Sequence, residues 1–150
     1  MILAIDPGPA QSAWVIWGDG KSQGAEIIPN AELLAGLRDG GFCDATCVAV
    51  EMIACYGMPV GAETFETCKV IGRIEECCHR RNLPIRFVYR REVKMHLCGN
   101  NRAKDGNVRQ ALIDKLGPVG TKKQPGPCYG IASHLWAALA VAITAQETQP

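Results

Sequence analysis

Residues 2–5 of the chain are uniformly apolar, Ile2-Leu3-Ala4-Ile5, and the run stops at Asp6-Pro7-Gly8. Four apolar residues closed by a carboxylate and a turn predict a central strand, buried on both faces, that delivers Asp6 to one edge of a sheet. Ser12-Ala13-Trp14-Val15-Ile16-Trp17 predicts a returning strand, and a third is expected at about 23–28. Links containing Gly8, Gly18, Gly20 and Gly24 make these three an antiparallel meander. Asn30 is expected to cap a short helix over 31–37. Cys47-Val48-Ala49-Val50-Glu51 is a second apolar run that ends in a carboxylate. Over about 62–81, Phe65, Cys68, Ile71 and Ile74 recur at helical spacing. Residues 84–89 predict a fifth strand, followed by helices near 91–97 and 106–116. A loop rich in Gly, Pro and Lys (117–129) leads to a last apolar helix over 132–144.

Three antiparallel strands followed by strand–helix alternation define an α/β protein, with a five-stranded mixed sheet and helices on both faces. The 150 residues, 47% of them apolar, read as one domain with a full core and no internal repeat or boundary. No apolar run reaches the length of a membrane span, and no secretory leader is visible, so a cytoplasmic location with reduced cysteines is expected. The eight cysteines form no Cys-x-x-Cys pair. They are expected to be small buried apolar residues rather than zinc ligands.

Charge changes the picture through its distribution. Between Arg80 and Lys123 twelve Lys or Arg face three acids, a balance of +9, whereas the rest of the chain has four against twelve, or −8. Such segregation points to one face that attracts a polyanion. Solvated helix faces would account for part of it.

Asp6 and Glu51 both end apolar strands. If those strands are parallel neighbours, the carboxylates meet at the carboxyl rim of the sheet, where α/β folds place their sites. Two adjacent carboxylates repel unless a proton or a cation lies between them, and hard oxygen donors favour Mg²⁺ or Mn²⁺. His134, expected in the first turn of the last helix, is the natural third ligand. Each residue has a plainer alternative: Asp6 as a turn cap, His134 as a polar residue at a helix start.

In this order and spacing, Ile5-Asp6-Pro7-Gly8, Val48-Ala49-Val50-Glu51, Tyr89-Arg90-Arg91-Glu92-Val93-Lys94 with Gly99, and Ala137 to Thr144 resemble the RuvC-type Holliday junction resolvases. These belong to the ribonuclease H-like superfamily, and the chain looks most like its short bacteriophage members. The resemblance spans nearly the whole length. It implies a ribonuclease H-like fold and a divalent-metal-dependent endonuclease that resolves branched DNA to 5′-phosphate and 3′-hydroxyl ends. It further implies one or two Mg²⁺ ions, or Mn²⁺, on Asp6, Glu51 and His134, one to activate water and one to stabilise the departing oxygen. Lys94 matches the family's Val-Lys position and would neutralise charge on the phosphate, with Lys104 as second choice. Either lysine could instead be a surface phosphate contact. A homodimer matching the two-fold symmetry of a four-way junction is also implied, with the helix over 62–81 as its interface unless that helix's apolar positions all face the core. The family usually places a further acidic ligand three residues after His134, where this chain has Ala137. Asp105, Glu63 or Glu66 could compensate, although Asp105 also suits a helix cap.

Tyr56, in an exposed loop past Glu51, could stack on an unpaired base or pack on the helix that follows it. Lys122 and Lys123, in a loop too rich in turn residues to pack, should reach a phosphate strand, and Arg90, Arg91 and Arg102 would extend that track. No membrane partner and no small-molecule cofactor are expected. Other readings are a branched-DNA-binding protein with little or no cleavage because of Ala137, and a nuclease of the same fold acting on flaps, forks or RNA. An actin-like ATPase shares the Asp-x-Gly turn but needs two such lobes.

Overall fold

In the computed structural model, described for residues 1–148, the two carboxylate-ending strands lie side by side at the centre of one sheet. The elements are β1 (Ile2–Asp6), β2 (Gln11–Gly18), β3 (Lys21–Pro29), α1 (Asn30–Asp39), β4 (Cys47–Met52), α2 (Ala62–Arg80), β5 (Ile85–Tyr89), α3 (Arg90–Cys98), α4 (Asp105–Leu116) and α5 (Leu135–Glu147). The strand order is β3-β2-β1-β4-β5. The pairs β1–β2 and β2–β3 are antiparallel, while β1–β4 and β4–β5 are parallel. This is the five-stranded mixed α/β sheet that the sequence predicts.

Side-chain alternation along the central strands builds two cores. Ile2, Ala4 and Ala49 face one side with α3, α4 and α5, whereas Leu3, Ile5, Val48 and Val50 face the other with α1 and α2. Helix α5 is apolar all round because it is enclosed, lying between the sheet and the pair α3 and α4. Small residues at Ala4, Ala49, Ala138 and Ala142, all buried, let that helix approach the sheet closely. Among the described residues no helix is long and apolar enough to cross a membrane.

Several local expectations are corrected. The buried face of α2 is Thr67, Val70, Ile71, Ile74, Cys77 and Cys78, so Phe65 and Cys68 point outward instead of joining Ile71 and Ile74 in the core. Only Cys77, Cys78 and Cys128 are buried; Cys43, Cys55 and Cys68 are exposed. Asn30 does not cap α1: Pro29 holds that position, and Asn30 is a buried first residue of the helix. Thr121 to Pro125 stay exposed, as the turn-rich composition predicts, but the loop is ordered by contacts of its own. Gly120 bridges Pro125, Thr121 and Gln124 exchange backbone hydrogen bonds, and a Cβ on Gly126 would meet the Pro118 carbonyl at 1.8 Å. Lys122 and Lys123 stand exposed at the tip of this small hairpin.

Candidate active site

The register of β1 against β4 pairs Ile5 with Val50, so the next residues, Asp6 and Glu51, emerge together at the carboxyl rim. Behind Asp6 the chain turns through Pro7-Gly8, where a Cβ on Gly8 would lie 2.5 Å from the Gln11 carbonyl oxygen, so only glycine fits. The turn is held from below. Asn30 Nδ2 donates to the Gly8 carbonyl at 2.9 Å, Ser12 Oγ donates to Asn30 Oδ1 at 2.6 Å, and the Asn30 backbone N–H donates to Ala10 at 3.0 Å. Ser12 and Asn30 are both buried, so this polar network is shielded from water and fixes the position of Asp6. Sequence reasoning missed it because a polar residue at a helix start reads as a cap.

The remaining groups arrive from three helices. His134 lies one residue ahead of α5 as its N-cap rather than inside its first turn. A left-handed Ser133 (φ 50°) precedes it, and its carbonyl accepts the first helical hydrogen bonds. Its Nδ1 stands 3.2 Å from Asp6 Oδ2, and its ring is mostly exposed. Ala137, one turn on, lines the same recess as Asp6, Asp105 and His134. Arg90 opens α3 directly after β5, whose pairing with β4 brings it to Glu51's end of the sheet. The Glu92 carboxylate accepts the Tyr89 N–H at 2.8 Å and fixes where that helix begins. Asp105 opens α4 but does not cap it; its carboxylate takes a hydrogen bond from Arg90 Nη2. Arg109 lies over the Trp136 ring at 5.1 Å, holding α4 beside the start of α5. Of the other acids considered, Glu63 rims the cleft beside Asp6, and Glu66 turns away to pair with Lys69.

Burial dominates the electrostatics. It raises the Glu51 carboxyl to about 7, with Arg90 opposing and the nearby Asp6 charge adding to the rise. Asp6 is raised as well, again by burial, with His134 and Arg90 pulling the other way. Burial would lower the Arg90 guanidinium, but Glu51 and Asp105 hold it above its ordinary value. The donors at the rim are therefore carboxylate oxygens and one imidazole, a set suited to a hard divalent ion. As they stand, however, no three His, Cys, Asp or Glu side chains among the described residues are arranged to hold one metal ion. Arg90 Nη1 lies 3.3 Å from both Glu51 oxygens, so the cation serving Glu51 here is a side chain.

The residues expected to hold DNA divide into two groups. Tyr56 is 59% exposed, in a tight turn closed by Met58 N–H to Cys55 carbonyl (2.8 Å), with Tyr56 and Gly57 both left-handed (φ 46° and 81°). It borders the recess holding Asp6 and Glu51, and a second recess lined by Arg90, Arg91, Lys94, Asn101 and Arg102. That second recess has no acidic lining residue. Lys94 thus belongs to the basic recess next door, not to the lining of the carboxylate clefts. Lys104, the N-cap of α4, is exposed and lines none of these recesses; Lys122 and Lys123 stand on their hairpin.

A sheet with this order and mixed direction, carrying acids at the carboxyl ends of β1 and β4, defines a ribonuclease H-like fold. Within that class the chain has the RuvC fold. It is similar to Thermus thermophilus RuvC in complex with a Holliday junction substrate, with a TM-score of 0.71 and 20% identity over 97% of this chain and 92% of that one. A second Thermus thermophilus RuvC structure matches at TM-score 0.70 and 22% identity, with the same coverage. No protein-family model and no curated protein sequence matches the chain.

Proposed function

We propose that this protein is a divalent-metal-dependent endonuclease that cuts branched DNA, four-way junctions above all, leaving 5′-phosphate and 3′-hydroxyl ends. The observation that carries this reading is the placement of Asp6 and Glu51 at adjacent strand ends, beside an acid-free basic recess, on a RuvC fold. Asp6, Glu51 and His134 would hold Mg²⁺ or Mn²⁺, which when bound supplies Lewis-acid stabilisation of phosphate charge and lowers the pKa of water. The chain's own residues do the rest. Arg91, Lys94 and Arg102 bind backbone phosphates, and Lys94, partly buried one helical turn after Arg90, offsets charge on the reacting phosphate. Tyr56 offers an aromatic face to a base unstacked at the branch point. Lys104, Lys122 and Lys123 extend the electrostatic track.

Two-fold substrate symmetry favours a two-fold enzyme. Helix α2 supports this part of the reading. Its outer face exposes Phe65 (61%) and Cys68, and Gly72 sits mid-helix with nothing within 4 Å of where a Cβ would be. An exposed helical glycine costs about 1 kcal/mol relative to alanine, a cost that close approach of a second copy would offset. The reading also puts the protein in the cytoplasm with its DNA, which suits eight unpaired thiols.

A second reading, a junction-binding protein with little cleavage, is favoured by one observation: Ala137 contributes no donor to the recess it lines with His134 and Asp105. The experiment that separates the two is incubation of the protein with an end-labelled four-way junction and with its linear duplex arms in Mn²⁺. The nuclease gives nicks near the branch point and leaves the duplex whole. Tight junction binding without product would support the second reading instead.

A further inference from the structure

Arg90 lines three neighbouring recesses: that of Asp6 and Glu51, that of Asp105, His134 and Ala137, and the basic recess of Arg91, Lys94 and Arg102. Its guanidinium spans Glu51 and Asp105, donating from Nη1 to both Glu51 oxygens at 3.3 Å and from Nη2 to Asp105. Its side chain is 32% exposed, while that of Glu51 is 14% exposed. The pair therefore lies at the mouth of the site, where the arginine can leave without unpacking a core. Asp105 is 77% exposed in its side chain and has no other hydrogen-bond partner among those found for the described residues.

These facts bear on the ion that the proposed function requires. The carboxylates at the rim need a cation, and Arg90 already supplies one to two of them. Held this way, Glu51 and Asp105 direct their oxygens to the guanidinium, and no three acids or imidazoles close on one ion. A divalent ion and the Arg90 bridge would compete for the same oxygens. A guanidinium released from Glu51 has the basic recess next to it, where a DNA phosphate would take its hydrogen bonds bidentately.

We propose that Arg90 is an exchangeable resident cation: it bridges Glu51 and Asp105 when the ion is absent, and transfers to a DNA phosphate when the ion takes those carboxylates. The proposal rests on the metal-dependent reading above. Asp105 thereby becomes a ligand available to this chain in the absence of an acid at position 137. Because the ion frees a phosphate-binding arginine, and a phosphate that captures Arg90 frees two carboxylates, ion and DNA strengthen each other's binding. By linkage the factor is the same in both directions.

The test measures binding and not cleavage. Mn²⁺ affinity is followed by electron paramagnetic resonance for the parent, Arg90→Met and Arg90→Lys at about pH 8. Junction affinity is measured by fluorescence anisotropy with and without Ca²⁺, and circular dichroism confirms that each variant is folded. Arg90→Met should bind Mn²⁺ about tenfold more tightly than the parent, within the usual range of coupling between sites. It should also lose most of the ion-induced gain in junction affinity that the parent shows. Arg90→Lys, a point charge that cannot span two carboxylates, should fall between them. Parent and Arg90→Met binding Mn²⁺ equally well would overturn the exchange and leave the metal site standing. Absence of Mn²⁺ binding by all three proteins would overturn both.

Discussion

The Asn30 side chain is hydrogen-bonded on both sides, donating to the Gly8 carbonyl at 2.9 Å and accepting from Ser12 Oγ at 2.6 Å. The residue that opens α1 thus sets the turn from which Asp6 projects. Asn30→Ala would strand a buried hydroxyl and remove a donor from the Gly8 carbonyl, which should cost about 1–3 kcal/mol. Urea denaturation should show that loss, and Mn²⁺ titration a weaker site. Ser12→Ala, which leaves the Asn30–Gly8 bond in place, should cost less. Equal stability of Asn30→Ala and parent would remove the network from the account of Asp6.

Glu51 gives a pH signature. Its carboxyl is raised by burial from 4.5 to about 7. The native state therefore holds this proton more tightly than the unfolded chain, and stability falls as pH rises from about 4.5 through about 7. Glu51→Gln is neutral throughout. In chelator-containing buffer it should exceed the parent by on the order of 1–3 kcal/mol at about pH 8, and the gap should close near pH 4. Denaturation midpoints at the two pH values check this; a gap independent of pH would show that Glu51 is not the group responsible. Metal binding should have the opposite trend and strengthen as Glu51 loses its proton.

Ala137 lines the recess shared by Asp6, Asp105 and His134. A carboxylate there, in Ala137→Asp, adds a hard ligand one helical turn from His134. Mn²⁺ affinity should rise by roughly tenfold or more, as for other groups that support a metal site. Cleavage rate separates the two functional readings: a large gain marks the parent as a weak nuclease, and little change marks it as already competent.

The outer face of α2 is the expected contact between two copies. Phe65→Glu places a charge where Phe65 is 61% exposed, so it should leave the monomer's stability nearly unchanged, within about 0.5 kcal/mol. Sedimentation velocity should show the parent as a dimer and the variant as a monomer. Junction products should change from paired cuts to single nicks. A parent that sediments as a monomer at all concentrations would remove the two-fold part of the reading.

What the sequence made legible follows from how each signal arises. Asp6 and Glu51 were visible because strands buried on both faces read as unbroken apolar runs, against which a terminal carboxylate stands out, and the parallel register then joins them. The α2 face was misread because Phe65 and Cys68 continue the apolar spacing of Ile71 and Ile74 while lying on the outer side. Each step of three residues falls about 60° short of a full turn, so the run winds from the outer side at Phe65 to the core side at Ile74. Asp105 and Arg90 read separately, as a helix-start acid and a surface base, since the contact between them depends on how α3 and α4 pack. The Ser12–Asn30–Gly8 network was invisible for the same reason: its bonds join β2, α1 and a turn.

If Asp6 and its neighbours form a metal-dependent phosphodiesterase site for branched DNA, loss of the Asp6 carboxylate should abolish cleavage and spare binding. The most direct measurement is cleavage of a labelled four-way junction in Mn²⁺ by the parent and by Asp6→Asn, with junction binding measured alongside. The parent should cut near the branch point to products that DNA ligase reseals, as 5′-phosphate and 3′-hydroxyl ends require, while Asp6→Asn binds the junction comparably and leaves it intact. No cleavage by the parent, with Asp6→Asn indistinguishable from it in every assay, would mean that Asp6 serves no such site.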